Sequence, residues 1–126
     1  MIEEDYVSFE TAKLLKEKGF DEQTRDFYRF ENNIWIHRNT YEHNHFNLGM
    51  PRWENCYSCP TLQMAMKWLR KVHNIDIIPF HEKLPNDCYW CRIEKYPYTE
   101  YNQELIYKKY EESLNAAIKY CLENLI

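Results

Sequence analysis

Four of the five cysteines stand in two Cys-x-x-Cys pairs, Cys56-Tyr57-Ser58-Cys59 and Cys88-Tyr89-Trp90-Cys91. Two such pairs are the spacing of a four-thiolate zinc site, in which each pair offers two sulfurs at one tight turn and the two turns complete a tetrahedron. Two features oppose zinc. A strand over 88–96 sends residues three apart, Cys88 and Cys91, to opposite faces. Neither pair is followed by the glycine that lets a knuckle's backbone wrap a metal. Free cysteine also packs as a small hydrophobe, and that is the reading these residues favour. A second zinc ligand set draws on His43 and His45 with Cys56 and Cys59, but it lacks any finger spacing. Cys56 and Cys59 also precede a helix, whose dipole would lower a thiol pKa and suit redox chemistry. A thioredoxin-like site needs a buried apolar strand leading into the motif, and residues 49–55, Gly-Met-Pro-Arg-Trp-Glu-Asn, do not supply one.

Other chemistry has less to stand on. Ser8, Ser58 and Ser113 coexist with five histidines, but no nucleophile elbow surrounds any of them. The chain has only two glycines, Gly19 and Gly49, far apart, which excludes the phosphate-cradling loops that need several within a few residues. The expectation is a protein that is not an enzyme. Sixteen basic against 20 acidic residues give a net charge of −4, with the acidic excess in the first half. No broad basic field exists to displace counterions from a nucleic acid, so DNA and RNA are not the expected partners. No apolar run is long enough to span a membrane, and the acidic start, Met1-Ile2-Glu3-Glu4-Asp5, reads as neither signal nor transit peptide. A cytoplasmic protein with reduced thiols is expected.

Two surfaces are candidates for binding another protein. The first is the outer face of the second helix, where Lys67, Arg70 and Lys71 fall opposite the apolar stripe and Trp68 sits at its border. Trp and Arg dominate interface hot spots, and the cations suit an acidic partner. The second arises from the aromatic content, 17% of the chain with 11 tyrosines. Tyr96, Tyr98, Tyr101 and Tyr107, around the last strand-to-helix connection, are the best candidates for an exposed cluster. A stacking platform for bases would pair such rings with a positive groove, which the overall charge does not favour.

The elements that must position these residues follow from periodicity. Ser8 caps a first helix over 9–18, Val7 and Ala12 form a modest staple, and Gly19 ends it with Phe20 folding back. Strands over 25–30 and 33–38 form a hairpin around Glu31-Asn32-Asn33, because Asn tolerates positive φ. Residues 39–59 show neither period and read as a long loop. Pro60 opens a second helix to His73, with Leu62, Ala65, Met66, Leu69 and Val72 as its buried stripe. Strands follow over 75–78 and 88–96, with a turn over 81–87. A last helix runs from near Lys109, or from as early as Asn102, to Leu125, with Tyr110, Leu114, Ala117, Ile118, Cys121, Leu122 and Leu125 as one long apolar stripe. The order α-β-β-α-β-β-α predicts a single α+β domain over 1–126, a mainly antiparallel sheet with helices on one face.

Three blocks carry a resemblance. They are residues 6–20 around Ser8-Phe9-Glu10-Thr11-Ala12, residues 59–75 with the core Pro60-Thr61 through Lys67-Trp68-Leu69-Arg70 to Val72-His73, and residues 110–122. Together they resemble a set of small uncharacterised proteins of phages and prophages of Bacteroides-type gut bacteria. The resemblance covers the three helices, about a third of the chain, and the middle block is its most specific part. It implies no activity and transfers no catalytic residue. It also implies that neither the Cys59 position nor the Cys88–Cys91 strand is a shared ligand set. The resulting expectation is a phage-type accessory protein that binds another protein. The alternative is a small module stabilised by zinc and contacting nucleic acid.

Overall fold

The computed structural model describes residues 2–97, 99–102 and 106–126, the stretch 99–102 by its backbone. The fold is α+β, with antiparallel sheets against which helices pack. The chain forms two compact units, Met1–Thr61 and Leu62–Ile126.

The first unit contains helix α1 (Phe9–Glu17) and strands β1 (Thr24–Glu31), β2 (Ile34–Asn44) and β3 (Cys56–Ser58). Ser8 is the N-cap of α1, its hydroxyl accepting from the Thr11 amide at 3.3 Å. Gly19 takes a φ of +93°, and the Phe20 amide returns to the Leu15 carbonyl at 2.9 Å, burying the Phe20 ring. Both ends of α1 are as the sequence predicts. The β1–β2 hairpin turns on Asn32 and Asn33, whose φ values of 51° and 64° are the pair of positive angles a two-residue type I′ turn demands.

Residues 39–59 are not a loop. β2 continues to Asn44, two 3₁₀ turns follow at Phe46–Leu48 and Pro51–Trp53, and β3 completes the sheet in the order β2-β1-β3. The Phe46 and Trp53 side chains drive this, closing over Phe27 of β1 and Cys56 of β3 to form a small core. Phe46 stacks on Phe27 at 4.5 Å, and Trp53 meets Phe46 edge-on at 4.6 Å. The opposite face of the sheet receives α1 through Phe9, which packs on Tyr28, Trp35 and Tyr57.

The second unit contains helix α2 (Leu62–His73), strands β4 (Ile75–Glu82), β5 (Cys88–Lys95) and β6 (Thr99–Asn102), and helix α3 (Tyr110–Asn124). Asn74, at a φ of 56°, turns the chain from α2 straight into β4. β4 runs four residues beyond the expected 75–78, and its turn to β5 shortens accordingly. The strand order is β4-β5-β6. Asn102 lies in β6, so the last helix begins at Tyr110 and not at the earlier alternative. Ile75, Ile77, Cys91 and Ile93 point from the sheet into a core closed by Leu114, Ile118, Cys121 and Leu122 of α3 and by Leu62, Ala65 and Leu69 of α2. Val72 keeps the helical period but is 55% exposed. Period gives a direction, and in the last turn of α2 none of the described residues covers that direction.

Candidate functional site

The cysteine pairs do not assemble a metal centre. Among the described residues, no three His, Cys, Asp or Glu groups come together as a metal site. All five thiols are buried and free. Their sulfurs face backbone carbonyls: Cys56 Sγ lies 3.7 Å from the Glu54 oxygen, Cys59 Sγ 3.6 Å from Val7, and Cys91 Sγ 3.5 Å from Ser113. Buried sulfurs turned toward carbonyl oxygens act as packing groups and weak donors, not as a ligand set. His45 is likewise engaged, its Nδ1 2.6 Å from the Asp21 carbonyl. The zinc alternative is therefore not favoured.

Nor is Cys59 poised for redox chemistry. α2 starts at Leu62, and burial pushes the Cys59 thiol up to about 12. Desolvation of the thiolate outweighs the hydrogen bond with Tyr28 that favours it.

The outer face of α2 is cationic. Lys67, Arg70 and Lys71 are exposed on the side of α2 opposite Leu62, Ala65, Met66 and Leu69. α2 contains no acidic residue, and none of the three cations has a hydrogen bond or ion pair among the described residues. Arg70 and Lys71 lie in the last turn, where the helix dipole favours positive charge. Trp68 is a correction. It is only 6% exposed, with its ring edge-on to His73 at 4.8 Å. The buried arc of α2 is wider than the apolar stripe, so Trp68 belongs to the core and leaves the surface to the cations.

Of the candidate tyrosines, the two whose side chains are described, Tyr96 and Tyr107, stand at opposite ends of β5. Tyr107 pairs backbone to backbone with Tyr89 near the start of β5, through hydrogen bonds of 2.7 and 2.9 Å. Tyr96 follows the other end of β5 and is half exposed. Seven residues of strand separate those ends by about 20 Å. Tyr101 stands in β6 opposite Ile93. Tyr98 lies outside the described residues.

Two further arrangements depend on pairing across strands and carry no local sequence signal. In the first unit, the Asp26 carboxylate accepts from His37 Nε2 at 2.8 Å, and the His37 ring lies against those of Tyr6 and Tyr28. Tyr28 in turn donates to the Val7 carbonyl at 2.9 Å, and burial holds its phenol well above the usual range. This cluster ties the N-terminal segment to the sheet, and the buried Cys59 thiol lies against its Tyr28 hydroxyl. In the second unit, Phe80 stacks on Trp90 at 4.4 Å, with the Arg92 guanidinium 5.5 Å from the Phe80 ring centre. A strand expected to end at Ile78 excludes Phe80, and the stack exists only in the register that pairs Phe80 with Trp90. No family model, curated protein or solved structure matches the chain.

Proposed function

We propose that this chain is a non-enzymatic protein-binding module that receives an acidic segment of its partner on the outer face of α2. One observation carries the reading: three exposed cations, Lys67, Arg70 and Lys71, share one face of an acid-free helix, with no internal counter-charge among the described residues. A solvated face usually interleaves both signs, as i and i+4 pairs stabilise a helix. Here the charge is left for something outside the molecule. Within a protein of net charge −4, such a face also orients an approaching acidic surface. The resemblance to phage and prophage proteins supports an accessory role.

The test uses a polyglutamate peptide as probe. K67E/R70E/K71E should weaken its binding roughly 10-fold or more, the combined effect of several exposed charge pairs. K13E/K83E/K108E changes the net charge equally at exposed positions elsewhere and should have a smaller effect. Equal losses in both triple variants, or no binding by the parent protein at low salt, would refute the docking face.

A further inference from the structure

The sheet of the second unit has an outer face whose chemistry answers that of α2. β4 sends Asp76, Ile78, Phe80 and Glu82 to the side away from the helices, and β5 sends Trp90, Arg92 and Glu94 there. Helices cover the other side, where Ile75, Ile77, Cys91 and Ile93 are buried. On the outer side the stacked Phe80 and Trp90 rings and Ile78 remain partly open to solvent.

The charges on this face are unbalanced. Asp76 stands directly opposite Glu94 in the strand pairing. Like charges in that relation repel across about 5 Å. Glu94 has Arg92 at 3.2 Å, whereas Asp76 has no hydrogen bond or ion pair among the described residues. Glu82 accepts from Trp90 Nε1 at 3.1 Å. Among the described side chains of β4 and β5, three carboxylates thus share one guanidinium, beside a pair of flat rings. That combination suits long cationic side chains, whose stems lie on aromatic surface while their heads reach carboxylates. α2 displays such side chains, in the opposite layer of the same unit.

We infer that the chain associates with a second copy of itself, the cationic face of α2 on one copy seated on the acidic, aromatic outer face of β4 and β5 on the other. This rests on the reading of α2 as a docking face and names its occupant. The two surfaces are different patches, so the contact is heterologous, and each added copy leaves one donor face and one acceptor face open. Copies add in series.

Sedimentation of the full chain tests this. At low ionic strength the average mass should rise with concentration past that of a dimer. In about 0.5 M salt, where the screening length falls below about 5 Å, it should return to the monomer. K67E/R70E/K71E removes one face and D76N/E94Q the other, so each variant alone should be monomeric, with its circular dichroism unchanged. Mixed, they retain one compatible pair of faces and should stop at a one-to-one complex. A parent protein that stays monomeric at low salt, or association that survives both variants, would overturn the inference. If polyglutamate still binds the α2 face of a strictly monomeric parent, the docking reading stands and only the choice of a second copy falls.

Discussion

At the residue scale, the cysteines show how far spacing can mislead. Two Cys-x-x-Cys pairs state a metal hypothesis, but spacing says nothing of what surrounds a sulfur. Burial decides the matter, and burial was legible for these residues only as the composition-level fact that free cysteine packs inside. Its physical consequence is alkaline lability. Burial holds the Cys121 thiol up at about 12, from an ordinary value of 9.0, and does the same for Cys59. Above pH 9 the unfolded chain loses these protons while the folded chain keeps them. The unfolded state then binds fewer protons, so stability falls as pH rises from about 9 towards 12, and the contribution is fully present below 9. Each thiol contributes a slope of roughly 1.4 kcal/mol per pH unit in that window. Urea midpoints of the parent and Cys121→Ala between about pH 8 and 11 check this. The variant starts less stable because it leaves a cavity, but the two curves should converge above pH 9. Parallel curves would show that the thiol does not carry the slope.

At the element scale, local signals are legible in the sequence and long-range ones are not. The Ser8 cap, the Gly19 stop, the Asn32-Asn33 turn and the stripe of α3 each declare themselves within a few residues. Residues 39–59 did not, because their order comes from Phe46 and Trp53 closing on Phe27, a partner far away in sequence. β6 was lost for a related reason, since its pairing with β5 is what makes it a strand. The hairpin turn offers a measurable check on the local part. Asn33 holds a φ of 64°, which glycine adopts freely and a β-branched residue strongly resists. Asn33→Gly should leave thermal stability unchanged or raise it by a few tenths of a kcal/mol, since Asn-Gly is the preferred type I′ pair. Asn33→Val should cost about 1–2 kcal/mol, the penalty of the left-handed region. A Val variant as stable as the Gly variant would mean that the turn does not use positive φ.

At the scale of the whole molecule, each unit is built around one central strand, and that organisation governs where the chain opens first. β1 lies between β2 and β3, and β5 between β4 and β6, so their backbone groups are paired on both sides over much of their length. β2 is different along its length. Its pairing with β1 runs regularly from Ile34 to Asn39, then skips to Asn44 opposite Thr24. Residues 40–43 therefore stand off the regular ladder, and side-chain bonds serve them instead, from Thr40 across to Arg25 of β1 and within the segment itself. Thr40 Oγ1 donates to the Glu42 carbonyl at 2.6 Å, and the Asn44 amide reaches the same oxygen at 3.0 Å. Those contacts blunt an exposed edge against stray strand pairing, but they do not protect the amides as a ladder would. Amide hydrogen exchange depends on opening of the bonds that hold each N–H. Peptides spanning 40–43 should therefore exchange at least roughly 100-fold faster than those of β1, a difference of about 3 kcal/mol in local opening. Within the second unit β5 should be the slowest strand. Exchange in 40–43 as slow as in β1 would mean that the far half of β2 belongs to the cooperative core of its sheet, and that its irregular register is bridged by pairing stronger than side-chain contacts supply.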